Sequence, residues 1–440
     1  MRLVKLSING LFGHFNHVIP FKNDDVTIIT APNGYGKTIA LKIIDAIFNK
    51  RNVFLSNLQF NSISLVTDKD TLIIKKQDLD SLKFEANLIS RGEGEEPYVF
   101  SYDKHSRRAM RSPSSLIENY LPFFKRIAPD RWIDTRTSAV FTRDEIFETH
   151  SEILSDFLAP GKFPDWYNIF INELDVYFIQ DQRLILRESK SDFKNSSEFT
   201  DAIEEFANDL SKRIKQAAFQ SSKTSQELDS SFPSRLLNYR YNNDSQGMNL
   251  DELKERLSEL SAKREKLANF GFFSSTNKYL ATIETFPKIE DDDIKVLTLY
   301  LDDTTKKLQA YDELSAKIDV FSSILNKKRL SFKKIVIDAE CGFKFKTMAE
   351  RDLKLTQLSS GEQHQIVLLY ELIFKSRNDL LVLIDEPEIS LHVAWQKEFL
   401  NDLQDIIKLQ DMSVIIATHS PQIINENWDL VVDLEEGAFA

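Results

Sequence analysis

Residues Ala31–Thr38 read APNGYGKT, set between the apolar run Val26–Thr30 (VTIIT) and the stretch Ile39–Phe48 (IALKIIDAIF). A loop that wraps a phosphate needs backbone N–H groups converging on the anion, and so glycine wherever a side chain would intrude. Gly34 and Gly36 meet that need. Lys37 then offers a cation to the β- and γ-phosphates, and the Thr38 hydroxyl is a ligand for Mg²⁺. Asn33 belongs to the same loop. The pattern ordinarily opens on glycine; here it opens on Ala31, small enough to be tolerated. The flanks fit as well. VTIIT is a β-branched run suited to a buried strand. Ile39, Ile43, Ile44, Ala46 and Ile47 fall on one broad helical face.

Outward from this loop, the bulk properties narrow the field. A chain of 440 residues exceeds one ordinary core. Its 42% hydrophobic and 28% charged residues suit a helix-rich globular protein. A net charge of -12 argues against a bulk electrostatic grip on nucleic acid, though local basic clusters could still provide one. The single cysteine, Cys341, excludes an internal disulfide framework and fits a reducing compartment. The opening residues MRLVKLSING alternate like a strand and lack the apolar core of a signal peptide. No apolar run approaches the ~20 residues that span a bilayer. The expectation is a soluble, cytoplasmic protein with no membrane partner.

Along the chain the character changes twice. SISLV, TLIIKK and YVFSY, between Leu55 and Tyr102, read as short strands of an antiparallel lobe, and VYFI at Val176–Ile179 as another strand. In the middle, Ile203, Phe206, Leu210 and Ile214 recur at helical spacing. Leu253, Leu257, Leu260 and Leu267 do so in a heptad-like pattern, with Arg264 at one seam position. Leu297, Leu301, Leu308, Tyr311, Ile318 and Leu325 form a further seam. Antiparallel helices of modest length follow, packed as a bundle or a short coiled coil, with Pro233, Gly247 and Gly271 marking turns. From Phe332 strands return: KKIVID and FKFKT flank AECG as a hairpin, and LLVLI, SVIIA and LVVDL alternate with helices. That alternation implies a parallel sheet covered by helices. The two ends of the chain read as halves of one α/β domain with the middle inserted.

Three further stretches carry chemistry. LLVLIDEPE (Leu380–Glu388) is an apolar strand ending in carboxylates: Asp385 to hold Mg²⁺, and Glu386 to orient or deprotonate an attacking water. QLSSGEQ (Gln357–Gln363) precedes a helical run, so Ser359, Gly361 and free N–H groups make either a second anion site or a plain serine cap. IIATHSP (Ile415–Pro421) ends another strand with His419, at the strand end where α/β sheets bind ligands. FIQDQRL (Phe178–Leu184) offers Gln180 and Gln182 as amides for Mg²⁺ or the water.

Taken in order, APNGYGKT, LSSGEQ, LIDEPE and ATHS resemble the motifs of ABC-type ATPases, and more narrowly the SMC, Rad, RecF and OLD-like branch, in which a helical segment divides the nucleotide-binding domain. The resemblance covers the first fifty and last ninety residues, roughly. It implies a split P-loop domain: residues 1–190 with the loop, antiparallel lobe and Q-loop, 191–331 as the helical insert, and 332–440 with the signature, acidic strand and histidine. It implies ATP and Mg²⁺ as substrate and cofactor, and two copies sandwiching two ATP molecules. Asn33, Gly34, Gly36, Lys37 and Thr38 would bind the nucleotide, and Lys37 and Glu386 of one copy would then face Ser359 and Gly361 of the other. Gln182, with Gln180 as the alternative, would be the Q-loop glutamine, a metal ligand with Thr38 and Asp385. Glu386 and His419 would serve catalysis, and Glu388–His392 would be the D-loop, with Ser390 near the seam.

QDQRL, QELDSSFPSRLL and GYGKT also look like the ATPase subunits of bacterial anti-phage systems of the PARIS and Septu types, which partner a separately encoded nuclease of TOPRIM or HNH type. Because 20 residues follow Ser420, a fused OLD-type nuclease is expected to be absent. The resemblance thus implies a sensor and scaffold with a nuclease effector and a phage protein trigger. A DNA repair or tethering ATPase of the RecF or SMC kind stands beside it, with Lys104, Arg107, Arg108, Arg111 and Lys327, Lys328, Arg329 as DNA-contact candidates, each equally readable as solvated surface. A transporter motor is disfavoured by the long insertion.

Overall fold

The computed structural model describes residues 1–22, 25–90, 93–94, 96–101, 117, 121, 124–134, 140–143, 145–146, 163–180, 202–241, 248–272, 290–327, 330, 332–376, 379–389 and 391–435. The chain forms two compact units: Met1–Ala202 together with Ser360–Ala440, and Ile203–Ser359.

The first unit is built on a five-stranded parallel sheet. Its strands run in the order Asp175–Ile179, Leu380–Asp385, Ser413–Thr418, Val26–Thr30 and Val431–Asp433. Leu380–Asp385 is buried at every residue, as a strand covered on both faces should be. A seven-stranded antiparallel sheet contains Phe15–Pro20, Leu3–Leu11, Ser62–Thr67, Asp70–Lys76 and Lys83–Ser90 in that order, with Glu93–Gly94 and Tyr98–Ser101 both paired to the last. Between them lies the helix Lys37–Phe48. Its Ile43, Ile44 and Ile47 share one core with Leu6, Ile63 and Ile74 of the antiparallel sheet and Leu383 and Ile415 of the parallel one. Burial of that kind stabilises by about 1.5–3 kcal/mol per side chain. The strand Lys83–Ser90 escapes the sequence reading because Lys83, Glu85 and Asn87 alternate outward beside buried Phe84, Ala86 and Leu88. A sparse polar face hides its period.

The second unit holds the helices Ala202–Tyr241, Leu250–Asn269, Asp291–Gln309 and Asp312–Asn326, followed by an antiparallel sheet of Lys333–Asp338, Gly342–Thr347 and Asp352–Leu353. The expected seam is its core: Leu253, Leu260, Leu267, Leu301, Leu308 and Tyr311 are buried in one cluster. Arg264, on that seam, donates outward to the Tyr300 hydroxyl at 3.3 Å. Gly271 makes its turn with φ +72°, closing the helix through Phe272 N–H to Leu267 O at 3.0 Å. Gly247 lies outside the described residues.

Two expectations change. Pro233 does not mark a turn; it sits inside a 40-residue helix, Ala202–Tyr241. A proline withholds an N–H from the carbonyl four residues back, here that of Asp229, and side chains brace the helix just before that point. Ser231 Oγ donates to Glu227 O at 3.0 Å and Arg235 Nη2 to Leu228 O at 2.8 Å. Arg235 is itself anchored by both oxygens of Asp303 at 2.5 and 2.7 Å. The boundary drawn between 331 and 332 also falls inside the second unit, because the hairpin packs with the helices: Ser211 Oγ bridges Ala339 O and Glu340 O at 2.9 and 2.8 Å. Among the described residues no helix is long and apolar enough to cross a membrane.

Candidate functional site

Register decides where the chemistry collects. Thr30 pairs with Thr418, and Ala417 with Asp385, so three adjacent parallel strands end at one level. The phosphate loop, the Glu386 turn and the His419 turn all leave the sheet from that edge. A cavity of about 540 Å³ opens at the other end of the strands, beside Arg2, Lys22, Asp379 and Asp411, and none of these motifs lines it.

The loop has the backbone its glycines foretell. Gly34 and Gly36 both have φ of +89°, a left-handed conformation that side-chain-bearing residues resist. Ala31 is 6% exposed and packs in the core, with no left-handed backbone, so the missing first glycine costs nothing there. Below the loop, buried His17 stacks on Phe15 with ring centroids 5.7 Å apart. Desolvation holds its pKa below the ordinary histidine value, against the carbonyls of Tyr35 and Leu434.

Lys37 is 5% exposed; its Nζ donates to Ala31 O at 2.9 Å and lies 3.9 Å from Glu386 Oε1. Thr38 Oγ1 donates to Asp385 Oδ1 at 3.0 Å across 347 residues of sequence. Glu386 follows the strand with φ +45°, a conformation uncommon for a glutamate and held by its N–H to Ala417 O at 2.9 Å. Its Oε2 accepts from His419 Nδ1 at 2.7 Å. Thus Lys37, Thr38, Asp385, Glu386 and His419 come together in one unit of one chain.

The remaining sequence-derived residues are placed differently. Ser359 and Gly361 flank the start of the helix Ser360–Tyr370, Ser359 exposed and Gly361 half-buried, and are not members of that cluster. Gln180 is exposed at the end of its strand. Gln182, Ser390, Lys104, Arg107, Arg108, Arg111, Lys328 and Arg329 lie outside the described residues. One member was missed. Glu388 is 7% exposed, and its Oε1 lies 3.2 Å from His419 Nδ1. Glu386, Glu388 and His419 each present one ligand-type atom within 4.8 Å of the others. The signal was the second glutamate of DEPE, which spacing alone does not separate from a solvated turn residue.

The donor set fits Mg²⁺. A hydroxyl and a carboxylate oxygen, already 3.0 Å apart at the foot of a phosphate loop, are hard oxygen ligands of the kind that ion takes beside phosphates.

The AAA ATPase domain model matches residues 1–424, nearly the whole chain. The chain belongs to the AAA ATPase domain family. Shorter segments are similar to Protein ea59 of Escherichia phage lambda, 36% identical over 72 residues, which is 16% of this chain and 14% of that protein. Others resemble the thiamine import ATP-binding protein ThiQ of Chelativorans sp. (strain BNC1), 33% identical over 84 residues, 19% of this chain and 33% of that protein. The chain therefore spans at most a third of either relative. Among solved structures, the Smc head domain of Pyrococcus furiosus with an extended coiled coil, bound to the C-terminal domain of ScpA, aligns over 98% of this chain and 93% of that one, at 14% identity and a TM-score of 0.35.

Proposed function

We propose that this protein is a Mg²⁺-dependent ATP hydrolase whose site is completed by a second copy, and that it is the sensor and scaffold subunit of a bacterial anti-phage system controlling a separately encoded nuclease. The observation that carries the enzymatic part is the Thr38–Asp385 hydrogen bond beside the Lys37–Glu386–His419 cluster. The N–H groups of the Asn33–Gly36 loop and the Lys37 ammonium bind the β- and γ-phosphates. Mg²⁺, held by Thr38 and Asp385 with Gln182, would neutralise phosphate charge. Glu386 orients the attacking water and accepts its proton as oxygen bonds to the γ-phosphorus and the bond to the ADP oxygen breaks. His419 contacts the γ-phosphate. Ser359 and Gly361 of the second copy close the site, consistent with their place at a helix start, where Ser359 is exposed.

The defence reading draws on the stretches around Gln180–Leu184 and Gln226–Leu237, the latter lying within the 40-residue helix. Its test is a pull-down of tagged Glu386→Gln protein from its native host with ATP and Mg²⁺, alongside native mass. A stoichiometric nuclease-like partner and an ATP-dependent rise in mass are expected. An unchanged mass sinks the composite site. A second reading, a DNA repair or tethering ATPase of the RecF or SMC kind, draws on that long helix and on a match of 38% over 81 residues to UvrABC system protein A of Clostridium acetobutylicum, 8% of that protein. Chromosomal DNA and repair proteins in the same pull-down would favour it, with DNA-stimulated hydrolysis.

A further inference from the structure

The carboxylate of Glu388 does unusual duty for a side chain that the catalytic scheme leaves idle. Its Oε1 accepts from Thr418 Oγ1 at 2.5 Å, from the backbone N–H of His419 at 3.0 Å and from that of Ser420 at 3.1 Å. The ring nitrogen His419 Nδ1 stands 3.2 Å from the same atom. Three consecutive residues, the last of a strand and the two that follow it, are thus gathered on one buried oxygen. Its other oxygen, Oε2, is buried with no hydrogen-bond partner among the described residues. A merely structural glutamate would be expected to satisfy both.

The hold is braced from the chain side as well. Ser420 Oγ donates to Gln396 Oε1 at 2.8 Å, and Gln396 Nε2 donates to Leu391 O at 3.1 Å. The segment carrying Glu386 and Glu388 is thereby tied to the His419 turn at two points. Glu386 needs such support, since it holds a left-handed backbone and shares His419 Nδ1 with Glu388. An imidazole whose Nδ1 faces two carboxylates carries its hydrogen there, which leaves Nε2 as the acceptor of the neutral ring.

We infer that Glu388 is a positioning residue: through Oε1 it fixes the Thr418–Ser420 turn and the ring of His419, and so keeps Glu386 and His419 in the relative placement that hydrolysis uses. The inference rests on the ATPase reading for its kinetic consequence and on the geometry alone for its structural one. Glu388→Gln keeps a carbonyl oxygen for the three donors, whereas Glu388→Ala removes it.

The test therefore pairs kinetics with the histidine ring signals of ¹⁵N-histidine-labelled protein, His419 being assigned with His419→Gln. A protected Nδ1–H signal for His419 is expected in wild type and Glu388→Gln and lost in Glu388→Ala. In parallel, kcat should fall about 10–100-fold in Glu388→Ala with KM for ATP within about threefold, and recover to within about fivefold in Glu388→Gln. An unaltered ring signal and kcat in Glu388→Ala overturns the inference, as does a loss of equal size in both variants or a change confined to KM. Should Glu388→Ala fail to fold, Thr418→Val removes a single donor. It should lower kcat about 3–10-fold at constant KM, and an unchanged kcat refutes the role. Wild-type protein without ATP turnover but with the protected ring signal lost only in Glu388→Ala would defeat the ATPase reading and leave the positioning intact.

Discussion

Replacing Gly342 by alanine presses on one point of the helical unit whose cost can be worked from the coordinates. Gly342 has φ +81°, and an added Cβ would stand 1.8 Å from Ala207 O, 2.8 Å from Ala207 C and 3.0 Å from Ser211 N. The left-handed conformation costs an alanine about 1–2 kcal/mol. The clash is with the backbone of the helix Ala202–Tyr241, not with a flexible side-chain tip, so relief requires that helix and hairpin part by about 1 Å, an overpacking cost of about 1–3 kcal/mol. Parting also loosens the Ser211 bridge to Ala339 O and Glu340 O, at about 1 kcal/mol. The total is about 3–6 kcal/mol. Because the chain has two units, a single unfolding midpoint would blur it, and hydrogen exchange of peptides from Lys333–Thr347 and from the helix is the assay. Exchange should speed up about 10²–10⁴-fold. Gly271→Ala is the control: φ is +72°, but the nearest atom, Ile337 O, is 3.7 Å away, so only the conformational cost applies, with exchange about tenfold faster. Equal effects of the two substitutions would refute the reasoning.

Asp338→Asn tests the same hairpin electrostatically. The Lys344 ammonium at 3.0 Å, with the N–H groups of Glu340 and Cys341, holds the Asp338 carboxyl down at about 2. A lowered carboxylate stabilises above its unfolded pKa near 3.8 and loses that contribution as pH falls through about 2, so the variant should be about 1 kcal/mol less stable at neutral pH, allowing for solvent screening, with the difference vanishing between pH 4 and 2. A difference that persists at pH 2 in hydrogen exchange would refute it. At the site, Thr38→Val removes the hydroxyl that meets Asp385. Mg²⁺-dependent ATP hydrolysis should fall by about 10² or more while ATP binding in a chelator persists, measured by turnover and calorimetry. Retained turnover would remove Thr38 from the metal site.

Legibility followed locality. The phosphate loop could be read because Gly34, Gly36, Lys37 and Thr38 act within one turn of chain, and the strand Leu380–Asp385 because burial on both faces makes it uniformly apolar. What escaped depends on partners far away in sequence. Pro233 reads as a break, yet the helix runs through it, braced just before it by Ser231 and Arg235 on Glu227 O and Leu228 O and by Arg235 on Asp303. The hairpin reads as part of the nucleotide-binding half until Ser211 is found bridging it, 128 residues off. Glu388 reads as one more turn carboxylate until Thr418, His419 and Ser420 converge on it. The strand Lys83–Ser90 is the exception, a local failure, since its outward residues are those that also populate loops.

The order of the parallel strands explains why motifs so distant in sequence act together. Val26–Thr30 and Leu380–Asp385 lie on either side of Ser413–Thr418, so the loop after the first and the turn after the second are separated by two strand spacings, about 10 Å, with His419 emerging between them. Lys37 and Thr38 must bridge that gap, and they do so by different means: Thr38 through Asp385, the last residue of its strand, and Lys37 through Glu386, the first residue beyond it. A slip of one residue in the pairing of Leu380–Asp385 with Ser413–Thr418 would turn Asp385 to the opposite face and leave the Thr38 hydroxyl without its carboxylate. Because all six residues of Leu380–Asp385 are buried, its two faces are equally apolar, and what distinguishes the observed register is Asp385 itself, whose carboxylate accepts from Thr38 Oγ1 at 3.0 Å. The polar contact at the strand end thus marks the register of an otherwise apolar sheet, and the left-handed turn at Glu386 converts that register into a carboxylate facing both Lys37 and His419.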